Sequence, residues 1–471
     1  MIRVDRIELF RKQLRTRMPF RYGIATMVDV PHVFLRLHLE TPSGRSLGIS
    51  ADHLPPKWFT KDPERDPLEE IDEMLEVLRH AIGLAAGRKA ASPFAFWMEL
   101  YREQAAWAPT RGIPPLLAHF GVTLVERALV DAWCRGQGIP FPRAVRENRL
   151  GIELGRIHNP LTERSPGEFL PDHPPETVHA RHTVGLSDPL RESDIPDGER
   201  LSDGLPQSLE ASIRAYGLTH FKIKVQGDPD RDIPRLREIA RILDRSASPD
   251  YRASLDGNES FRTGASFAGF WTDLRKDPAL GGLLSRMLFI EQPLHRAIAL
   301  EEPIREAARP DGTPCPIIID ESDAALDSLP KALELGYAGT SHKNCKGVFK
   351  GIANRCLIRF HVLQGRTNLM MSGEDLSNIG PVALLQDLAV QATLGIDSIE
   401  RNGHHYFAGL AAFPDTLQAD MIRHHGDLYR REPGQPARLA LSAGRVHTRS
   451  VLNAPFGCAF RPDLESFAEP I

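Results

Sequence analysis

The chain has 471 residues, of which 41% are hydrophobic and 25% are charged, with a formal net charge of −4. This composition is typical of a soluble globular protein, and the absence of a basic excess argues against a nucleic-acid-binding protein. No stretch approaches the roughly 20 apolar residues of a membrane span, and the N-terminus has no apolar signal-peptide core. Five scattered cysteines without a CxxC pair favour a reducing compartment. A cytoplasmic protein is predicted.

The length predicts more than one domain. In the first 145 residues, the apolar periodicity indicates strands at 2–10 and 33–39, and helices at about 68–86, 93–107 and 115–136. Strands followed by helices predict an N-terminal α+β domain over 1–145. The stretches 16–31 and 50–67 are rich in turn formers and are interpreted as loops.

Residues 146–177 are rich in Pro, Glu, Arg and His without a period, which indicates a linker or a surface insertion. Strand and helix patterns then alternate over 178–405. Eight strand candidates separated by helices are typical of a (β/α)8 barrel. The remaining segment, 406–471, has short apolar runs among Pro and Gly, and its pattern alone does not place it.

The run THFKIKV, residues 219–225, predicts a short strand that carries Lys222 and Lys224. Side chains at i and i+2 of a strand share a face, so both ammonium groups point the same way. Two lysines on a buried strand are unfavourable unless a nearby group needs positive charge or a lowered amine pKa. The alternative for Lys222 is an ordinary salt bridge.

Three further apolar runs end in carboxylates, at Asp256, Glu291 and Asp320, spaced by about one strand–helix unit. Successive strand ends of a parallel barrel meet at one rim, so these carboxylates are expected to face one pocket. Such an oxygen-rich site suits Mg²⁺. Taken singly, each carboxylate is better explained as a solvated strand end or a helix cap, and the metal-site interpretation depends on all three following apolar runs in register beside two lysines. Asn258 could orient a bound ligand or serve only a turn.

A fourth apolar run ends near Lys343, four strand positions further round the barrel than Lys224. Two lysines in these positions would face opposite sides of one bound substrate. A divalent cation and a second lysine lower the pKa of a lysine, which makes it a general base near neutral pH. The arrangement suits removal of a proton α to a carboxylate. The alternative for Lys343 is a surface position, because SHKNCKG is polar.

These motifs, in this order, resemble the enolase superfamily, and within it the muconate-lactonising-enzyme-like subgroup of the mandelate racemase and muconate lactonising enzyme family. The matching motifs are KxK at Lys222–Lys224, DxN at Asp256–Asn258, FIEQPL at Glu291, IIIDES at Asp320 and HKNCKG at Lys343. Weaker matches are VERALVDAWCRGQGIPF, similar to the helix that enters the barrel domain, and SNIGPVALLQDLAV after the seventh strand.

The resemblance implies a modified (β/α)8 TIM barrel with an N-terminal capping domain, and a C-terminal segment that returns to the cap. It implies Mg²⁺ bound by Asp256, Glu291 and Asp320. Lys224 would be the base on one substrate face and Lys343 its partner on the other, while Lys222 would tune Lys224 and neutralise the substrate carboxylate.

Substrate specificity would come from cap loops around 20–26 and 53–58, which contribute Arg21, Tyr22 and His53. Relatives often carry a Glu where this chain has Leu376. Glu374 and Asp375, just before it, are candidates for its role, and Glu374 is also a candidate for substrate binding. The chain also has Glu259 where an uncharged residue is common. These departures bear on the substrate more than on the reaction type.

The resemblance therefore predicts an enzyme that abstracts the α-proton of a small-molecule carboxylate through an enediolate, with racemisation or epimerisation foremost. The same residues serve dehydration, cycloisomerisation and syn-elimination, and a catalytically silent, ligand-binding barrel is the alternative from another class. The expected partners are the substrate and further copies of the chain in a homo-oligomer, with neither nucleic acid nor membrane.

Overall fold

A computed structural model describes residues 1–22, 24–304 and 307–471. Its N-terminal part is an antiparallel sheet with helices packed against it. The strand order in this sheet is β18 (Glu469–Pro470), β1 (Ile2–Tyr22), β2 (Ala25–Thr41) and β3 (Gly44–His53), and β4 (Lys89–Ala90) also pairs with β1. The elements up to residue 146 are β1 (Ile2–Tyr22), β2 (Ala25–Thr41), β3 (Gly44–His53), α1 (Pro67–Ala85), β4 (Lys89–Ala90), α2 (Pro93–Trp107), α3 (Pro115–Gln137) and α4 (Phe141–Arg146). The three predicted helices are confirmed.

The interpretation of residues 16–31 as a loop is wrong. The predicted strands continue through this stretch as a long hairpin, in which Phe20 pairs with Met27 and Tyr22 with Ala25. The register shifts between Arg15 and Phe20, the interval that contains Pro19. Proline donates no backbone hydrogen bond and is accommodated in a sheet at such an irregularity. The turn-forming residues therefore mark a bulge and not the end of the strand.

The barrel consists of eight parallel strands that close on themselves, since the last strand pairs with the first through Ser398 and His179. The predicted capped TIM barrel is confirmed. In barrel order the strands are β5 (Thr177–Val184), β6 (His220–Lys224), β7 (Arg252–Asp256), β8 (Met287–Glu291), β11 (Ile317–Ile319), β12 (Gly339–His342), β13 (Met370–Gly373) and β14 (Ser398–Glu400).

Helices connect the barrel strands, and the C-terminal segment adds short elements. They are α5 (Leu209–Tyr216), α6 (Pro229–Ser246), α7 (Gly264–Lys276), α8 (Gly281–Ser285), β9 (Ala307–Ala308), β10 (Pro314–Cys315), α9 (Ser328–Glu334), α10 (Val348–Leu363), α11 (Ala383–Thr393), α12 (Gly403–Tyr406), α13 (Asp415–His424), β15 (Tyr429–Arg430), β16 (Arg438–Leu439), β17 (Arg445–His447), α14 (Arg449–Asn453) and β18 (Glu469–Pro470). Strand β17 runs antiparallel to β5, and β18 pairs with β1 through Pro470 and Phe10.

The segment 146–177 contains three 3-10 turns, and its Leu154 and Leu161 are buried. His158 in the same segment shares a 2.8 Å hydrogen bond with Asn354 of α10. This stretch is therefore packed against the barrel helices along part of its length. The five cysteines are buried and unpaired. In the part of the chain that the structure describes, no helix is both long and apolar enough to cross a membrane.

Candidate active site

The barrel brings the predicted lysines and carboxylates to one end, because they occupy the carboxyl ends of adjacent parallel strands. Lys224 on β6 pairs in register with Asp256 on β7, which pairs with Glu291 on β8. Asp320 directly follows β11 and Lys343 directly follows β12. All five side chains are buried.

Lys222 lies at the centre of the acidic cluster. Its Nζ is 3.0 Å from Asp256 and 2.9 Å from each of Glu291, Glu374 and Glu400. Burial alone would lower the pKa of Lys222, but these four carboxylates raise it well above its ordinary value. The structure thus shows Lys222 in a buried salt-bridge network, which is the alternative that the sequence left open.

Lys224 and Lys343 flank this cluster on strands β6 and β12. Lys224 Nζ lies 2.5 Å from Asp256 Oδ2, and Lys343 Nζ lies 2.5 Å from Asp320 Oδ2 and 3.1 Å from Glu374 Oε2. Lys343 is 4% exposed, so the alternative of a surface position is wrong. The polar sequence around it reflects a buried network beneath the rim.

The pKa of Lys343 is opposite in direction to what the sequence predicted for a base. Burial by itself lowers it, but Asp320 and Glu374 raise it well above its ordinary value. Burial, Asp256 and Glu374 meanwhile raise the pKa of the Glu291 carboxyl well above its usual range. Crowded carboxylates of this kind are relieved by a further cation, and the same cation would repel the proton of a neighbouring lysine.

The acidic side chains suit a hard divalent metal. In the described ranges, Glu291, Asp320 and Glu374 each offer a carboxylate oxygen within 4.8 Å of the others, and all three are buried. Carboxylate oxygens are the donors that Mg²⁺ prefers. The donor set therefore fits Mg²⁺, with Glu374 beside the predicted Glu291 and Asp320. Asp256 is engaged by both lysines of β6.

Sequence reasoning missed several members of this site. Glu400, at the end of β14, contacts Lys222 and accepts a 2.6 Å hydrogen bond from Thr183. Arg181 of β5 lies 3.1 Å from Glu374, and Lys346 lies 3.1 Å from Asp320. Glu400 ends the predicted strand IDSIE, so its position at a strand end is the signal that would have found it. Arg181 and Lys346 carry no such signal.

A cleft, here called the barrel-mouth cleft, opens above these groups. It is lined by Lys222, Lys224, Asn258, Asp320, Lys343 and Glu400 from the barrel and by Phe20, Tyr22, Pro55 and Trp58 from the cap. Both predicted cap loops thus reach it. Asn258 also fills a turn role, because its backbone N–H donates to Asp256.

Arg21 and His53, two of the predicted substrate-binding residues, do not line this cleft, and neither does Glu374, which contacts Lys222 and Lys343 in the acidic cluster. Arg21 extends away from it and donates a 2.9 Å hydrogen bond to Ser187. His53 is fully buried, where it shares a 2.9 Å hydrogen bond with His32 and stacks on Phe407. The sequence placed both residues in the right loops, but alternation along β1 and β3 turns their side chains elsewhere. Neither is retained as a substrate contact.

The cap loop that carries Trp58 is tied to the barrel by a partly buried ion pair. Arg296 forms two hydrogen bonds with the Glu259 carboxylate and donates to the carbonyl oxygens of Trp58 and Phe59. The Trp58 ring lies 4.9 Å from Lys343 Nζ. The unusual Glu259 noted in the sequence therefore holds an aromatic wall over one of the two lysines.

Known proteins were compared with the chain at the levels of sequence and structure. No family model matches it, and no curated protein matches it in sequence. Among solved structures, a muconate lactonizing enzyme from Pseudomonas fluorescens is similar over 94% of both chains, at 18% identity and a TM-score of 0.57. A dipeptide epimerase from Methylococcus capsulatus, solved with Mg and a dipeptide, is similar over 94% of this chain and all of its own, at 17% identity and a TM-score of 0.55.

An enolase-superfamily member from Enterococcus faecalis is similar over 96% of this chain and 97% of its own, with 14% identity and a TM-score of 0.56. The chain has the fold of these enolase-superfamily proteins. At 14–18% identity, structural similarity is evidence about the fold only. It confirms the fold that the resemblance in the sequence implied. The chemistry of this barrel depends on its own residues.

Proposed function

We propose that this chain is a Mg²⁺-dependent enzyme of the enolase superfamily that removes the α-proton of a small-molecule carboxylate, with racemisation or epimerisation as its reaction. The observation that carries the proposal is the pair of buried lysines, Lys224 and Lys343, on strands β6 and β12. Both line one cleft and flank one acidic cluster. A substrate bound between them would present each face of its α-carbon to one amine.

The proposed metal ligands are the carboxylates that the barrel gathers. Glu291 and Asp320 belong both to the ligand set inferred from the sequence and to the group with oxygens within 4.8 Å of one another. Asp256 is the third ligand inferred from the sequence, and Glu374 is the third member of the group with oxygens within 4.8 Å of one another. When bound, Mg²⁺ would stabilise the negative charge that proton removal leaves on the substrate carboxylate.

The chain's own residues would do the rest. Lys222 neutralises the surrounding carboxylates and fixes their positions. Lys224 or Lys343 would accept the α-proton and the opposite lysine would return one. Trp58, Phe20 and Tyr22 would exclude water from above, because they close the cap side of the barrel-mouth cleft.

The test is exchange of the α-hydrogen in D₂O, followed by NMR, on a panel of dipeptides, acyl amino acids and hydroxy acids. The proposal expects at least one substrate to exchange in Mg²⁺ and to stop exchanging when the metal is chelated. Exchange of both stereoisomers with interconversion indicates a racemase or epimerase. Exchange accompanied by loss of a β-substituent or ring closure indicates elimination or cycloisomerisation, and binding without exchange indicates a silent barrel.

A further inference from the structure

The connection between β5 and α5, residues 185–208, is here called the brace. It contains only two 3-10 turns, whereas connections between a strand and a helix of a barrel are usually about 2–6 residues long. Connections of unusual length in a compact domain often have a functional role. The brace contacts the hairpin of β1 and β2, which carries Phe20 and Tyr22 to the barrel-mouth cleft.

Arg17 of β1 is the main link between the hairpin and the end of the brace, and its side chain is 4% exposed. Its Nε and Nη2 donate hydrogen bonds to the two carboxylate oxygens of Asp203, at 2.6 and 3.0 Å. Its Nη atoms also donate to the carbonyl oxygens of Leu205, Pro206 and His405, at 3.0–3.1 Å. A bidentate pair of this kind is strong and fixes orientation. The hairpin is therefore held to the brace by a fully engaged guanidinium.

The start of the brace supports the same hairpin through Phe20. Asp188 Oδ2 accepts a 2.7 Å hydrogen bond from the Tyr406 hydroxyl, and the Tyr406 ring stacks on Phe20 with centroids 4.1 Å apart. Arg235 of α6 in turn donates to the carbonyl oxygens of Gly185 and Asp188, at 2.7 and 2.8 Å. Phe20 thus packs on a ring that is anchored to the barrel.

The cap side of the barrel-mouth cleft is predominantly apolar. The cap residues that line it are Phe20, Tyr22, Met27, Pro55 and Trp58. The Tyr22 hydroxyl already donates a 2.8 Å hydrogen bond to the carbonyl oxygen of Pro56. Within the described ranges, no charged side chain of the cap lines this cleft. A polar substituent placed against this surface would lose its water without gaining a partner, whereas an apolar one gains from burial.

We propose that the brace holds Phe20 and Tyr22 as a preformed apolar roof, so that the barrel-mouth cleft selects carboxylates with an apolar substituent on the cap side. Arg17 is the positioning residue of this arrangement, because it binds the brace and does not line the cleft. The inference rests on the proposed function, since it takes the barrel-mouth cleft as the substrate site. A roof that is ordered before binding lowers the entropic cost of binding.

Hydrogen–deuterium exchange of the full chain without ligand tests the brace. Arg17→Gln is expected to speed amide exchange over residues 18–22 by about tenfold or more, because hydrogen bonds to a charged group are lost and the hairpin opens locally. Arg15→Gln, at an exposed position on the same strand, is the control and should leave this exchange unchanged.

A second pair of variants keeps the test decisive if Arg17→Gln fails to fold. Asp203→Asn removes the charge that Arg17 binds and should also speed exchange over residues 18–22. Asp197→Asn is its control, because Asp197 lies in the same connection with a fully exposed side chain. Exchange at the wild-type rate in Asp203→Asn would show that the brace does not hold the roof and would overturn the proposal.

Calorimetry of the full chain in Mg²⁺ tests the selectivity with N-acetylleucine and N-acetylasparagine, whose side chains have nearly the same shape. N-acetylleucine is expected to bind at least about tenfold more tightly, because burial of an apolar side chain contributes about that much. This ratio should shrink in Asp203→Asn and persist in Asp197→Asn. Equal affinity for the two probes, no binding of either, or an undiminished ratio in Asp203→Asn would refute the inference. Exchange of the α-hydrogen in D₂O only on substrates with charged side chains would support the proposed function and still refute this inference.

Discussion

At the scale of single residues, the site depends on which carboxylates form salt bridges with its few buried lysines. Four carboxylates contact Lys222, and Asp320 is held by Lys343 and Lys346. Removing one partner of such a buried network is strongly destabilising, because it leaves an uncompensated charge. Substitutions that keep the shape and hydrogen bonding of a carboxyl group are therefore the informative ones.

Glu291→Gln is predicted to reduce Mg²⁺ affinity by more than about 100-fold, because losing even an outer-shell partner of a metal ligand reduces affinity by about 10–100-fold. Calorimetric titration of Mg²⁺ into the full chain measures the effect. The matched control is Glu321→Gln, because Glu321 is also buried and follows Asp320 directly, while burial and Asp320 raise its pKa to about 7. Equal metal affinity in the two variants would contradict the ligand assignment.

Much of this site could be predicted because strand alternation and strand ends are visible in a sequence. The i, i+2 spacing correctly placed Lys222 and Lys224 together, and apolar runs correctly located Asp256, Glu291 and Asp320 at one rim. What could not be predicted is which oxygen meets which ammonium group. That depends on barrel closure, which brings Glu400 of the last strand against Lys222 of the second.

At the scale of elements, the cap contacts the barrel where a cap side chain accepts hydrogen bonds from the first residues of a barrel helix. Glu126 of α3 accepts hydrogen bonds from the backbone N–H groups of Val348 and Phe349, at 3.1 and 2.6 Å, where α10 begins. A carboxyl group at the N-terminus of a helix satisfies donors that the helix leaves unpaired. One buried side chain of the cap thus anchors a barrel helix.

Glu126 predicts a pH dependence of stability. Burial raises its pKa from 4.5 to about 7, so the folded state binds the proton more tightly than the unfolded state. The stability that this tighter proton binding gives the folded state is fully present below pH 4.5, and it is lost as the pH rises through 7. Relative to Glu126→Gln, which does not titrate, the wild-type free energy of unfolding should fall by about 2–3 kcal/mol between pH 5 and 8. Denaturant titrations across this range measure it, and a constant difference would contradict the burial of Glu126.

The contact between β3 and α3 gives a second prediction at this scale. A Cβ atom on Gly48 would clash with the backbone of Ala128 and Ala132. Gly48→Ala should therefore push the helix from the sheet and destabilise the protein by about 1–3 kcal/mol. Gly83→Ala in α1 is the control, since its Cβ would meet no atom within 4 Å, and alanine there should stabilise by about 0.5–1 kcal/mol. Thermal unfolding compares the two, and equal effects would refute the packing argument.

The hairpin of β1 and β2 shows why turn formers are weak evidence. Pro19 and the residues around it suggested a loop, yet the hairpin of β1 and β2 continues past them because cross-strand pairs resume at Phe20. Pairing between distant residues outweighs local preference in strands. The hairpin matters for the site, since it carries Phe20, Tyr22 and Met27 to the barrel-mouth cleft.

At the scale of the whole molecule, the C-terminal segment pairs with both the N-terminal sheet and the barrel. Strand β18 completes the N-terminal sheet and β17 pairs with the first barrel strand. These pairings join residues more than 200 positions apart, and no local sequence pattern in 406–471 predicts them. The barrel itself was predictable because each strand–helix unit repeats the same alternation.

The quaternary structure remains a prediction from the family resemblance. Relatives are commonly homo-oligomers, so light scattering at micromolar concentration is expected to give at least twice the chain mass of 52.5 kDa. A mass equal to a single chain across a hundredfold range of concentration would contradict it. The full chain is needed, because β18 belongs to the cap sheet.

The most direct test of the central claim is the stereochemistry of α-hydrogen exchange in the two lysine variants, on a substrate found by the D₂O screen. A general base contributes about 10²–10⁴-fold to a rate. Lys224→Ala is therefore predicted to lose exchange of one enantiomer while the other still exchanges from the Lys343 side, and Lys343→Ala to show the mirror pattern. If Lys343→Ala slowed a single stereoisomer without this reciprocity, Lys343 would act only as a cation, and if it had no effect at all, the two-base account would be wrong.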